Sequence, residues 1–393
     1  MRPSICRPTA FFKLLFVACC SVCTVAIQAQ DTLAFRFQLG LIVLPGSLNG
    51  VPTDFVFDTG SPITITTSSN NQQAGINPKK RSRVAIDAND KAKLVPEVAI
   101  DAIQFGSHRF GNIKGITADM PALACNKQVL LGQDVIMQRN WLFDFERMHV
   151  IISKDSFGVK SNGTLWAYQL KGGKPHISFS MAKDTTVDCL IDLGFTGISD
   201  AGPLSQPAKN ILQQKRINQS VVQMIRRSMG LHGYGSAELE DYFVVDTVYL
   251  QGKPFSGFLA AADAKSRPKL GAAFFSNTCT QLILHNNRKT YELIWKPNAM
   301  LQKWLPDVAI GYNKGQLFVS EKNISVHSTS HDLQVGEVIT AVNGKRATDF
   351  ADECAFLNWW YGNKFRRYEI EKANGKRLVV EGTMLTTKSN WEK

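Results

Sequence analysis

The chain has 393 residues, 44% of them hydrophobic, which exceeds one average domain and suffices to bury more than one core. Its formal charge of +12 is scattered (Lys79, Lys80, Arg81 and Arg83, then Lys215, Arg216, Arg226 and Arg227) without interleaved aromatics, which argues against a nucleic-acid groove. The seven histidines make no HExxH or comparable spacing, and neither a GxSxG elbow nor a GxxxxGK loop occurs, so zinc-hydrolase, serine-hydrolase and phosphate-loop chemistry are disfavoured and no metal or other cofactor is expected.

Residues 1–29 read as a secretory signal. Arg2, Arg7 and Lys13 precede the apolar run Leu14 to Ile27, and Ile27-Gln28-Ala29 supplies small or aliphatic residues for cleavage. Export to a periplasmic or extracellular location is expected, with lipid attachment at Cys19 the minor alternative. No later stretch approaches the 18 apolar residues of a membrane span, so none is expected after cleavage. Loss of Arg2, Arg7 and Lys13 takes the charge from +12 to +9, and Cys6, Cys19, Cys20 and Cys23 leave with them. The remaining Cys125, Cys189, Cys279 and Cys354 allow three pairings, none favoured, and Cys189 reads as a core residue.

From Thr32 to Asp58 the pattern is strand, turn, strand: Phe35, Phe37 and Leu39 alternate, Leu41 to Leu44 runs to Pro45-Gly46-Ser47, and Asn49-Gly50 signals a hairpin. The strand Phe55-Val56-Phe57 then ends in Asp58-Thr59-Gly60-Ser61-Pro62. Asp-Thr-Gly is an ordinary turn sequence too, but an acid at the edge of an apolar strand is an expensive placement unless it has a role. Ile63 to Thr66 continues as β, residues 68–82 read as loop, and Val84 to Ile103 reads as short strands with a hairpin tip at Asp87 to Asp90. Val129-Leu130-Leu131-Gly132, Trp141 to Phe145 and Val150 to Ile152 close this half.

The second half repeats the first. Ile177, Phe179 and Met181 alternate, Lys183-Asp184 turns, and Val187 to Ile191 runs into Asp192-Leu193-Gly194-Phe195-Thr196-Gly197. The turn residue precedes the acid by eight positions in both copies, Gly50 to Asp58 and Asp184 to Asp192. Lys269-Leu270-Gly271 answers Leu130-Leu131-Gly132, with acid-to-glycine spacings of 79 and 74 (271 − 192 and 132 − 58). Leu282 to Leu284 and Tyr291 to Ile294 answer the closing strands. Between the landmarks, Ile217, Val221 and Ile225 suit an amphipathic helix over 210–227, before the glycine-rich turn Gly230 to Gly235 and strands at Tyr242 to Val245 and Val248 to Leu250.

From about Pro306 the character changes. Short strands at Val308 to Tyr312 and Gln316 to Val319 precede Leu333 to Lys345, a helix from about Phe350 to Trp360, and strands paired across Asn374-Gly375, which together make a small α+β unit.

If Asp58 and Asp192 meet across the two halves, repulsion between like charges makes them share one proton, and such a pair can activate a water and protonate an amide oxygen. Asp58-Thr59-Gly60-Ser61 with Leu130-Leu131-Gly132 resembles a lobe of the retropepsin and pepsin group of aspartic proteases. Asp192-Leu193-Gly194-Phe195-Thr196-Gly197 is similar to its bacterial second-lobe motif. The resemblance implies a mainly β protein of two duplicated acid-protease lobes (30–160 and 161–300), with catalytic Asp58 and Asp192 supported by Thr59, Gly60, Ser61, Gly194 and Thr196, and polypeptide substrates. It also implies a hydroxyl after each acid, which Leu193 lacks. Tyr234 is the flap candidate, since the tip Asp87 to Lys91 has no aromatic.

Residues 305–386 resemble a PDZ domain through Leu333-Gln334-Val335-Gly336-Glu337-Val338-Ile339 and Val342-Asn343-Gly344. The resemblance implies that Ile310-Gly311-Tyr312 forms a loop receiving the carboxylate of a peptide C-terminus. Two readings follow: an active endopeptidase, or, because of Leu193, a catalytically impaired relative that serves as a peptide-binding scaffold.

Overall fold

The computed structural model describes residues 31–388 apart from 88, 183–184, 201–205, 218–220, 264–266, 326–331 and 364. The expected signal segment and the Lys183-Asp184 turn lie outside the described residues. Strands dominate, and the two halves fold alike. In the first, Leu41–Leu48 turns back into Val51–Phe57 through Asn49 and Gly50, both at positive φ (48° and 84°), as a tight hairpin requires. In the second, Lys174–Ala182 pairs antiparallel with Thr185–Asp192.

Each acid-bearing strand then takes a parallel partner from far downstream, Gln128–Leu131 in the first half and Lys269–Gly271 in the second. The registers coincide. Phe57 lies beside Leu131, which brings Asp58 to Gly132, and Asp192 lies beside Gly271. Each glycine opens a short helix, Gln133–Ile136 or Ala272–Thr278. A Cβ on Gly132 would sit 2.3 Å from the Ile63 carbonyl carbon, and one on Gly271 would sit 2.1 Å from the Gly197 oxygen. The loop following each acid crosses at that point, so only glycine fits.

A six-stranded sheet joins the halves, and Trp141–Asp144 of the first pairs directly with Gln281–Leu284 of the second. One apolar core continues through both, with Phe57, Trp141, Phe143, Ile191, Leu193, Leu282 and Leu284 among its members. The lobes therefore share an interior instead of burying separate ones.

Three local expectations are corrected. The helix expected over 210–227 spans only Gln206–Ile217, and Val221–Arg226 is a strand paired with Glu238–Phe243. Four-residue spacing of apolar positions fits both conformations, and the β-branched Val221, Val222 and Ile225 suit the pleated one once a partner strand is present. Residues 68–82 begin with the helix Ser68–Gln73, started by a capping box between Thr67 and Asn70; its all-polar sequence gave no periodicity to read. The strand pair expected at 242–250 is one strand, Glu238–Leu250.

Around the C-terminal core of Leu317, Phe356, Ile370 and Val380 lie the strands Val308–Asn313, Gln316–Asn323, Val338–Val342, Arg367–Lys372 and Arg377–Glu381, with the helix Glu353–Asn363. This unit is fastened at several places. Glu321–Asn323 extends the ladder of Met224–Arg226, Met300–Leu305 pairs with Thr383–Lys388, and Cys125 is disulfide-bonded to Cys354. Cys189 and Cys279 are buried free thiols.

The disulfide closes a sequence separation of 229 residues, for which loop-closure entropy gives about 5.5 kcal/mol of stabilisation at 25 °C. Cys125→Ser combined with Cys354→Ser is expected to lower the thermal unfolding midpoint, and reductant to lower the wild-type midpoint but not that of the double variant. Differential scanning calorimetry checks both.

Candidate active site

Asp58 and Asp192 are brought together. Each stands half-buried where an acid-bearing strand enters its glycine turn, and the two carboxyls lie close enough that each shifts the titration of the other. The approach is reciprocal. A Cβ on Gly60 would lie 2.4 Å from the Asp192 carboxyl carbon, and one on Gly194 would lie 2.3 Å from that of Asp58. Each glycine thus leaves the space that the opposite acid fills.

Backbone donors fix the carboxyls. The N–H groups of Gly60 and Ser61 donate to Asp58 Oδ1 at 2.7 and 3.1 Å, and that of Gly194 donates to Asp192 Oδ1 at 3.1 Å. Burial and then the neighbouring Asp192 charge push Asp58 well above the usual carboxylate range. Burial also raises Asp192, but the charges of Lys269 and Lys174 and the hydrogen bond from Asp58 oppose the shift. Both carboxyls are thus raised by burial, so the pair retains a proton that isolated carboxyls would release.

Thr59 bridges the halves. Its buried Oγ1 donates to the Ile191 carbonyl at 2.7 Å and accepts from the Leu193 N–H at 2.9 Å. The reciprocal bridge is missing, because Leu193 is fully buried in the shared apolar core. Sequence reasoning missed Gln133, whose Nε2 donates to the Thr59 carbonyl at 3.0 Å while its N–H donates to that of Ser61 at 2.9 Å. Its position directly after Leu130-Leu131-Gly132 is the signal that could have found it. The Ser61 hydroxyl donates to the Ile63 carbonyl at 2.7 Å, so it shapes the turn. Thr196 is exposed, and its side chain would lie 3.2 Å from a Cβ on Gly40, a turn residue of the opposite half.

Leu193→Thr is expected to lower stability even though it supplies the missing hydroxyl. A restored hydrogen bond adds about 1 kcal/mol, whereas truncating a fully buried leucine removes about 2–4 kcal/mol. Chemical denaturation checks this; a more stable variant would show that the missing bridge is a real defect.

The hairpin tips of the two halves meet. The Asp87 carboxylate accepts from the His232 N–H at 3.0 Å, Asn89 Nδ2 donates to the Ser228 carbonyl at 3.2 Å, and Lys91 donates to the Tyr234 carbonyl. Leu231, at the second tip, packs on a first-half cluster that includes Leu41, Ile63, Val56 and Leu130. Tyr234, the flap candidate, packs on the C-terminal unit: its ring meets Phe318 edge-on at 5.3 Å, and burial raises its phenol. The expected carboxylate loop is also corrected. Ile310-Gly311-Tyr312 lies within the strand Val308–Asn313, paired residue by residue with Leu317 to Val319, and its Ile310 and Tyr312 side chains are buried. A Cβ on Gly311 would sit 2.5 Å from the Phe318 ring, so this glycine serves the hairpin's packing.

Residues 44–135 match the family model for aspartyl proteases, a span that holds Asp58-Thr59-Gly60 and Gly132. Among solved structures, the aspartic proteinase from Irpex lacteus is similar at 9% identity and a TM-score of 0.42, over 68% of this chain and 98% of that one. A retropepsin-like aspartic protease from Rickettsia conorii is similar at 18% identity and a TM-score of 0.24, over 32% of this chain and 91% of that one. A comparison with curated protein sequences returned no match.

Proposed function

We propose that this chain is an aspartic-type endopeptidase in which Asp58 and Asp192 act as one catalytic pair. The observation that carries the reading is the reciprocal fit of each acid over the other half's glycine. Ionised Asp192 takes a proton from a water held between the acids. Protonated Asp58 donates to the carbonyl oxygen of the amide under attack. The tetrahedral intermediate then collapses as a proton passes to the leaving nitrogen, with no covalent enzyme intermediate.

The scaffold alternative rested on Leu193. Leu193 fills the core and Thr59 still links the two acid turns through its hydroxyl, which supports the endopeptidase reading over the scaffold one. The reading extends to polypeptide substrates and to an exported protein. Export is supported by the N-terminal basic and apolar pattern and by the Cys125–Cys354 disulfide, a bond of oxidising compartments. Cleavage of an unfolded polypeptide, followed by mass spectrometry at acidic and neutral pH, tests the activity. Product formation by wild type and its loss in Asp58→Asn and Asp192→Asn is the expected outcome.

A further inference from the structure

Comparing the halves by strand register reveals a difference in charge beside the acids. The ladder that joins Val43 to Val56 carries Leu41 across from Asp58, and the ladder that joins His176 to Leu190 carries Lys174 across from Asp192. In the parallel ladders, Leu130 lies beside Val56 and Lys269 beside Leu190, each two residues before the acid. The positions filled by Leu41 and Leu130 in the first half are therefore filled by Lys174 and Lys269 in the second.

The surroundings agree with this correspondence. Leu41 and Leu130 belong to an apolar cluster with Val43, Val56 and Ile63. In the second half, Ile177 and Phe179 turn into the core, so strand alternation sets Lys174 and His176 on the opposite face. Lys174 follows Gly173, whose Cβ would lie 3.4 Å from the Pro62 ring in the first half's acid turn. Lys269 Nζ lies 4.4 Å from the centre of the Phe195 ring, within the second acid's own turn. Both lysines are half-buried, and the charge of each is felt at Asp192.

We propose that Lys174 and Lys269 form a specificity subsite for the carboxylate side chain of a substrate Asp or Glu close to the scissile bond, where the first half has Leu41 and Leu130 packed under Leu231. The proposal rests on the endopeptidase reading, whose acids these residues flank. Between half-buried groups a lysine–carboxylate pair is stronger than at the surface, and a neutral amide gains less from the same cation.

The test uses matched peptides that differ only in Glu, Gln or Leu at each residue flanking the cleaved bond. Wild type is expected to favour Glu over Gln at one position by about tenfold or more in kcat/KM. Lys174→Glu is expected to shift that preference toward a Lys-bearing peptide. A Glu-to-Gln ratio near one at every position, or a preference that persists in Lys174→Glu combined with Lys269→Met, overturns the proposal. If these variants do not fold, the wild-type scan decides. Absence of cleavage with every peptide would count against the endopeptidase reading. Fluorescence anisotropy of the same peptides on Asp58→Asn would then decide: Glu bound about tenfold tighter than Gln upholds the subsite, and equal binding removes it.

Discussion

Asp58→Asn is expected to slow peptide cleavage by roughly 10³–10⁴-fold, the range lost when a positioned proton donor is removed and the rest of the site persists. Asparagine keeps the shape that accepts from the Gly60 and Ser61 N–H groups. It cannot give a proton to the substrate oxygen. The same variant has an effect independent of activity. Asp58 is raised in the folded state, so above the ordinary carboxylate range near 3.8 the unfolded chain releases a proton that the folded chain retains. Wild-type stability should therefore fall as pH rises from about 4 toward neutrality, by at most about 1.4 kcal/mol per pH unit for this group. Asp58→Asn should flatten that slope and be the more stable form at pH 7. Urea unfolding at a series of pH values, beside initial rates of cleavage, reads both effects; a variant that cleaves at the wild-type rate would remove Asp58 from the chemistry.

Gly194→Ala is expected to have the next largest effect on cleavage, although no titratable group is substituted. Its added methyl would fall 2.3 Å from the Asp58 carboxyl carbon and 2.5 Å from both carboxyl oxygens, so the pair must separate. Displacement of reacting groups by about 1 Å lowers rates by around 10²-fold, and overpacking adds about 1–3 kcal/mol of destabilisation. Gly60→Ala, with its methyl 2.4 Å from the Asp192 carboxyl carbon, should behave alike. The control is Gly50→Ser, at a hairpin tip where an added Cβ meets nothing within 4 Å. It should lose some stability from the positive φ yet keep the rate. Equal rates for Gly194→Ala and wild type would show that the acids need not touch.

The duplication was legible because its landmarks are backbone requirements. A hairpin tip, an acid followed by glycine, and a second glycine where the chain crosses itself recur in order, and the two parallel registers coincide at Asp58 and Asp192. What stayed hidden depends on tertiary partners. Val221–Arg226 became a strand because Glu238–Phe243 on one side and Glu321–Asn323 on the other offered ladders. Cys125 and Cys354 belong to four thiols among which the sequence favours no pairing, and contact between the helices Pro121–Cys125 and Glu353–Asn363 joins them. Tyr234 looked like a cleft residue by its glycine-rich setting, but the C-terminal unit supplies Phe318 as its neighbour. The replacement of Leu41 and Leu130 by Lys174 and Lys269 was present in the sequence throughout, and it became readable only once the registers aligned the two halves.

The shared proton is the centre of this account, and carbon-13 NMR of protein labelled at the aspartate carboxyls observes it directly. Titration of wild type should show one carboxyl, absent from Asp58→Asn, that remains protonated at pH 7 while the surface aspartates have ionised near their ordinary range. Titration of every aspartate near pH 4, with no resonance missing above that range in the variant, would contradict it.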